Sequence, residues 1–168
     1  MIPPINLKKW INKNREFLKP PVGNKVVYKN TEFIIMVVGG PNVRKDFHVD
    51  EGEEFFYQLE GDMLLKIIEN GKIKDIKIRE NEIFLLPPKI PHSPQRYKNT
   101  IGLVIERQRK EHELDGFQWY CDDCNELLYE KFIILKDIVK QLPIIFEEFW
   151  SNNTVRTCKN CSSYLEKP

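Results

Sequence analysis

The stretch Arg44-Lys-Asp-Phe-His48-Val-Asp-Glu-Gly-Glu-Glu54 decides how the centre of this chain is read. Side chains of an extended strand alternate between faces, so residues 44, 46, 48 and 50 share one side. Arg44 and His48 then look into the same space, and Glu54 follows after a turn at Gly52. Downstream, Pro91-His-Ser-Pro-Gln-Arg96 places His92 four residues before Arg96, repeating the Arg/His spacing in mirror order. His48, His92 and Glu54 together offer two imidazoles and one carboxylate. That donor set suits non-haem Fe(II) and leaves coordination positions open.

Around this stretch the chain reads as short apolar runs separated by turn signals. The runs are 26–28, 33–38, 55–59, 63–68, 73–78, 83–87 and 102–106, and seven of the eight glycines fall between residues 22 and 109, mostly at run ends or in turns. Many short strands at near-regular spacing predict an all-β barrel or a double-sheet sandwich. Before it, Ile5–Leu18 sets Leu7, Ile11 and Leu18 on one helical stripe, and Pro20-Pro21 should stop that helix. After Gly116 come an apolar segment at 127–135 and a helical stretch at 137–150, where Pro143 should kink the helix or begin a second one. The basic stretch Lys72–Arg79 reads as a solvated strand edge that discourages further pairing.

Composition narrows the function classes. Of 168 residues, 41% are hydrophobic and 30% charged, enough to bury a core and too apolar for a disordered chain. Lys and Arg number 26 against 25 Asp and Glu, so no global field favours nucleic acid or an anionic membrane. The start lacks a signal-peptide apolar core, and Phe33–Val38, six residues, falls far short of the roughly 18 of a membrane span. A cytoplasmic protein is expected.

Each histidine taken alone is a weak signal, but their order is not. His-x5-Glu, a turn, a strand, Gly61, then His92 after a Pro-rich strand end resembles the two motifs of the cupins, over 40–61 and 81–92. The second histidine usual in the first motif is Asp50 here, so either Asp50 replaces a ligand or the site has three; Glu54 already supplies a carboxylate, which favours three. Arg44, His48, Glu54, the PHSPQR run, GLVIERQR and LDGFQWYCDDC together resemble the short bacterial 3-hydroxyanthranilate 3,4-dioxygenases over nearly the whole chain. The resemblance implies a cupin jelly-roll barrel with Fe(II) on His48, Glu54 and His92. It places substrate or oxygen contacts at Arg44, Arg96 and Glu106, with Glu54 also at the reacting centre. It implies 3-hydroxyanthranilate and O2 as substrates, and 2-amino-3-carboxymuconate semialdehyde as product. That product closes to quinolinate, a precursor of NAD on the kynurenine route. The chemistry is coherent, because a substrate carboxylate calls for the paired donors of an arginine. His112, in a polar run, is expected to be exposed and inert.

Cys121-x-x-Cys124 and Cys158-x-x-Cys161, 33 residues apart, predict one tetrahedral Fe or Zn ion in a rubredoxin-like unit. Such ribbons also occur in nucleic-acid binders, but Asp122, Asp123, Glu126 and Glu130 oppose phosphate contact. The expected organisation is a barrel with its N-terminal helix over 1–112, and a four-cysteine, helical appendage over 113–168. The face of Ile138, Leu142, Ile145 and Phe149 is left for the barrel or for a second subunit, and a homodimer is expected. The competing readings are a cupin dioxygenase of a related aminophenol or catechol, and a metal-binding cupin without turnover.

Overall fold

Alternation along the apolar runs becomes strands, and the strands pair into two antiparallel sheets that face each other. The computed structural model describes residues 3–20 and 23–168, with backbone alone at 138 and 139. The chain begins with α1 (Leu7–Asn14) and a 3-10 turn (Arg15–Leu18). Then follow β1 (Asn24–Val26), β2 (Phe33–Gly39), β3 (Asp46–Val49), β4 (Glu54–Glu60), β5 (Met63–Glu69) and β6 (Lys72–Ile78). The remaining strands are β7 (Ile83–Leu86), β8 (His92–Arg96), β9 (Ile101–Arg107), β10 (Asp115–Tyr120) and β11 (Leu127–Ile133), before α2 (Ile138–Trp150) and α3 (Asn153–Arg156). One sheet runs β1-β2-β9-β4-β7 and the other β11-β10-β3-β8-β5-β6. This is the cupin barrel that the two motifs imply. Among the described residues no helix is long and apolar enough to cross a membrane.

Between the sheets Phe56, Met63, Leu65, Ile67, Ile78, Leu86 and Val104 form the core. The same period of two that turns Phe56 inward also turns Glu54 inward, and the one that buries Val104 buries Glu106. Register finishes the job: His48 lies opposite His92 and Phe117, while Glu54 lies opposite Glu106. Five strands from both sheets thus deliver polar side chains to one end of an otherwise apolar interior.

The N-terminal helix covers part of the outer face of the five-stranded sheet. Asn6 caps it by accepting from Lys9 N at 2.9 Å, and Ile11 and Leu18 pack on Val37 and Ile101. The expected stop at Pro21 and the start of the strand region at Val22 lie outside the described residues. The basic stretch is β6, an outermost strand whose Lys66, Lys74 and Lys77 surroundings are knitted by pairs to Asp75, Glu69 and Asp62.

Residues beyond 112 do two things. β10 and β11 extend the six-stranded sheet through β3, so the segment expected as an appendage opens with two strands of the barrel's own sheet. α2 then lies over β10: Phe149 stacks on Trp119 with ring centroids 4.5 Å apart, and Ile145 and Leu165 join them. The face of Leu142, Ile145 and Phe149 therefore packs on this chain's own barrel; the side chain of Ile138 lies outside the described residues. One helix runs through Pro143 and no second helix begins there. The apolar face it buries outweighs the single backbone bond that a proline removes.

Candidate metal centre

A tight local turn sets up the site. The Asp50 carboxylate accepts from Gly52 N at 2.6 Å, which reverses the chain so that β4 opens with Glu54 facing back toward His48. Glu54 Oε1 lies 3.1 Å from His92 Nε2 and 3.6 Å from His48 Nδ1. The far nitrogen of each ring is tied to an acceptor: His92 Nδ1 donates to the Ile90 carbonyl at 3.0 Å, and His48 Nε2 to Asp115 Oδ1 at 2.8 Å. Each ring therefore turns its other nitrogen toward Glu54. Holding one nitrogen to an acceptor is how proteins orient an imidazole toward a metal.

The donor atoms of His48, Glu54 and His92 lie within 4.8 Å of one another; Glu54 and His92 are buried and His48 is partly exposed. Burial pushes His48 down, but its hydrogen bonds with Asp115 and Glu54 outweigh it and raise it to about 9. Burial likewise works against a charged Glu54, yet His92 and His48 hold it well below the usual carboxylate range. The pocket is built for a positive charge beside Glu54, and two imidazoles with a carboxylate fit a divalent first-row ion. Asp50, the departure from the usual cupin pattern, lies beside the set, with a carboxylate oxygen within 4.8 Å of those of Glu54 and Glu106, while one oxygen holds the Gly52 turn. Its second oxygen sits 3.0 Å from Arg109 Nη2.

Arg96 ends β8 on the same inner face and is 3% exposed. Its Nη1 donates to Gln58 Oε1 at 3.3 Å, and among the described residues no carboxylate pairs with it. Burial first, then the neighbouring positive charge of Arg44, pull its pKa down to about 10, although Glu54 works the other way. A buried guanidinium without an anion is costly, and an incoming carboxylate would relieve that cost. Arg44, just before β3, is ion-paired with Asp46, its Nε 3.3 Å from Oδ1. Glu106 is buried beside Glu54 and Asp50; burial first, and then those negative charges, raise its affinity for a proton against the pull of Arg109. His112 is exposed.

Four residues of this region escape a reading of motifs. Arg109 and Asp115 lie in the GLVIERQR and LDGFQWYC runs but look like loop charges there. Gln58 and Gly102 look like ordinary strand positions. The only signals were an i, i+3 spacing from Glu106 to Arg109, and a glycine inside a strand.

The four cysteines form a second candidate centre. They carry no disulfide, and their sulfurs lie within 4.8 Å of one another. Two knuckles repeat one geometry. Cys121 O accepts from Asn125 N at 3.0 Å and Cys158 O from Ser162 N at 2.9 Å, with Asn125 and Ser162 both at φ 63°. The Sγ pairs Cys121–Cys161 and Cys124–Cys158 are each 3.5 Å apart. That is near the roughly 3.8 Å edge of a tetrahedron with metal–sulfur bonds of about 2.3 Å. Ser163 Oγ lies 3.0 Å from Cys121 Sγ and 3.1 Å from Cys161 Sγ.

Fold and site together define a cupin with a two-histidine, one-carboxylate pocket. Residues 1–150 match the family model described as 3-hydroxyanthranilic acid dioxygenase, and the chain belongs to that family. A 3-hydroxyanthranilate 3,4-dioxygenase of Xanthomonas campestris pv. campestris is 55% identical over 168 residues, covering 100% of this chain and 95% of that protein. One of Bacillus thuringiensis is 50% identical, covering 95% and 90%. The Xenopus tropicalis protein of the same name is 53% identical over 93% of this chain, which spans only 55% of the frog protein. The crystal structure of NMB1881 from Neisseria meningitidis shares the fold, at 20% identity and a TM-score of 0.51, over 63% of this chain and 100% of that one.

Proposed function

We propose that this chain is an iron-dependent dioxygenase that opens the ring of 3-hydroxyanthranilate with O2. The product, 2-amino-3-carboxymuconate semialdehyde, cyclises to quinolinate, a precursor for NAD. The observation that carries the reading is Arg96, a buried guanidinium without an anion, at the end of the strand whose first residue faces the His48–Glu54 pair. A ring carboxylate is the partner it lacks.

In this reading His48, Glu54 and His92 hold one Fe(II). When bound, that ion supplies open coordination positions and an electron path between the aromatic ring and O2. The protein's own part is positioning. Arg96, braced by Gln58, grips the carboxylate with paired donors. Glu106, whose burial favours proton uptake, accepts from the substrate's amino or hydroxyl group. Arg44, steadied by Asp46, faces the oxygen side. Phe56, edge-on to His92 at 6.3 Å, helps to keep water from the pocket.

The four thiolates hold one Fe or Zn ion as a structural clamp, because four sulfurs saturate a tetrahedral ion and leave no position for substrate. Unpaired thiols suit a reducing compartment, which supports a cytoplasmic location. The uncovered outer face of the five-stranded sheet, with Phe33 52%, Ile83 65% and Leu85 53% exposed, supports a homodimer joined there.

Anaerobically Fe(II)-loaded protein given a panel of ring compounds in an oxygen electrode tests the activity. Oxygen consumption should be fastest with 3-hydroxyanthranilate and poor with 2-aminophenol, which lacks the carboxylate. Faster uptake with 2-aminophenol or a catechol would point to a related dioxygenase. No uptake with any compound would point to a binding protein.

A further inference from the structure

Arg109 belongs neither to the proposed ligand set nor to the proposed substrate contacts, yet it touches Glu106 directly and reaches His48 through Asp115. Its Nε donates to both oxygens of Asp115 at 2.7 Å, and its Nη1 to Glu106 Oε1 at 3.0 Å. Its Nη2 sits 3.0 Å from Asp50 Oδ2. Two nitrogens of the fork thus donate to different carboxylates, and the third faces the charge of Asp50, whose Oδ2 accepts no hydrogen bond among the described residues. Asp115, 1% exposed, passes the contact on by accepting from His48 Nε2 at 2.8 Å. Asp50 in turn holds the Gly52 turn that delivers Glu54.

We propose that Arg109 is a positioning residue that couples the metal pocket to the substrate pocket, fixing the plane of His48 through Asp115 and the carboxylate of Glu106 directly. Asp50, Glu54, Glu106 and Asp115 are four carboxylates no more than 8% exposed, and without a cation among them they would repel one another apart. A point charge could ease the repulsion. A planar fork can also orient two carboxylates by directed hydrogen bonds while setting its charge against a third, which a lysine's single ammonium does not reproduce. Residues that orient a ligand imidazole typically change metal affinity or activity by about 10- to 100-fold.

This rests on the reading of His48 as ligand and Glu106 as substrate contact, so the test has an arm that needs no turnover. Protein with zinc already in its thiolate centre is titrated with Co(II) against a chelator, and the visible ligand-field spectrum and melting temperature are recorded. KM and kcat for 3-hydroxyanthranilate are measured separately on Fe(II)-loaded protein. Arg109→Lys should bind Co(II) about 10- to 100-fold more weakly, shift the spectrum and raise KM. Wild-type affinity, spectrum and KM in Arg109→Lys would overturn the proposal, leaving only a charge effect. A lowered melting temperature with affinity and spectrum unmoved would overturn it in favour of a purely structural role. Should Arg109→Lys not fold, Asp115→Asn and Glu106→Gln separate the two branches. The first should weaken Co(II) with KM for substrate little changed, and the second should raise KM with Co(II) affinity unchanged. Wild-type Co(II) affinity in Asp115→Asn would overturn the relay to His48. A wild-type protein that binds Co(II) here yet does not turn over 3-hydroxyanthranilate would sink the functional reading, while the Co(II) arms still judge Arg109.

Discussion

Arg96 shows how much of this site is decided by what is absent around a residue. It is buried against a neutral partner, Gln58, and the space it occupies exists only because residue 102 has no side chain. A Cβ at Gly102 would come within 2.6 Å of Arg96 Nη1 and 2.7 Å of Gln58 Oε1. Both atoms would have to move. Gly102→Ala is therefore expected to raise KM for the substrate while leaving metal content unchanged. Arg96→Ala should go further, losing a charged hydrogen bond of about 1.5–3 kcal/mol, or roughly ten- to a hundredfold in apparent affinity. Normal KM values in both variants, measured at equal iron content, would remove Arg96 from carboxylate binding. His48, Glu54 and His92 were legible as candidates from their order along the chain, whereas Arg96 and Glu106 read as solvent-facing charges on their own and entered only through the family resemblance. Gly102, Gln58, Arg109 and Asp115 were not legible, since their importance lies in who stands next to them after folding.

At the level of elements, the stretch between β9 and β10 carries Arg109 and is itself pinned by a pair between half-buried Arg107 and buried Glu113. Arg107 donates to Glu113 at 2.6 and 2.7 Å, and Glu113 also accepts from Lys110 N at 2.8 Å. Arg107 first, then the backbone of Lys110, hold Glu113 down at about 2, against an ordinary 4.5. A carboxylate depressed in the folded state stabilises above its ordinary pKa, and that stability is lost as pH falls through the folded value. The melting temperature of wild type should exceed that of Glu113→Gln at pH 6, and the gap should close between about pH 4.5 and 2. A gap independent of pH would mean that the charge of Glu113 is idle. The legibility of elements follows the same logic of exposure. Strands such as β4 and β5, whose residues alternate between buried and half-buried, were read from their apolar runs and the turn signals between them. β10 is buried on nearly every residue from Asp115 to Gln118 and beyond, so no alternation marks it, and its pairing with β3 could not be anticipated. Of the two expectations at Pro143, the start of a second helix failed: one helix runs through it, held by the packing of Ile145 and Phe149 on Trp119.

For the whole molecule, two features outside the pocket concern persistence and assembly. With an ion bound as proposed, the thiolate centre would tie the loop after β10 to the segment carrying Cys158 and Cys161 and so help to hold α2 on the sheet. A Cys121→Ser/Cys158→Ser protein should melt earlier or aggregate, while whatever stays folded keeps near-native turnover per catalytic iron. A well-folded, iron-loaded but inactive double variant would give the thiolates a part in the chemistry. The outer sheet face should pair with a second copy, so light scattering should report twice the 20.0 kDa chain mass. Ile83→Glu combined with Leu85→Lys should return the monomer. A wild-type protein already at monomer mass would contradict the dimer without touching the pocket. The central claim, ring opening of 3-hydroxyanthranilate at the His48–Glu54–His92 centre, is tested most directly by one turnover under ¹⁸O2. The iron-loaded wild type should yield quinolinate with a single ¹⁸O, in a carboxyl group, because the second label leaves with the aldehyde oxygen on cyclisation, and His92→Ala should yield no product. Unlabelled quinolinate, an unopened ring, or full turnover by His92→Ala would contradict the account.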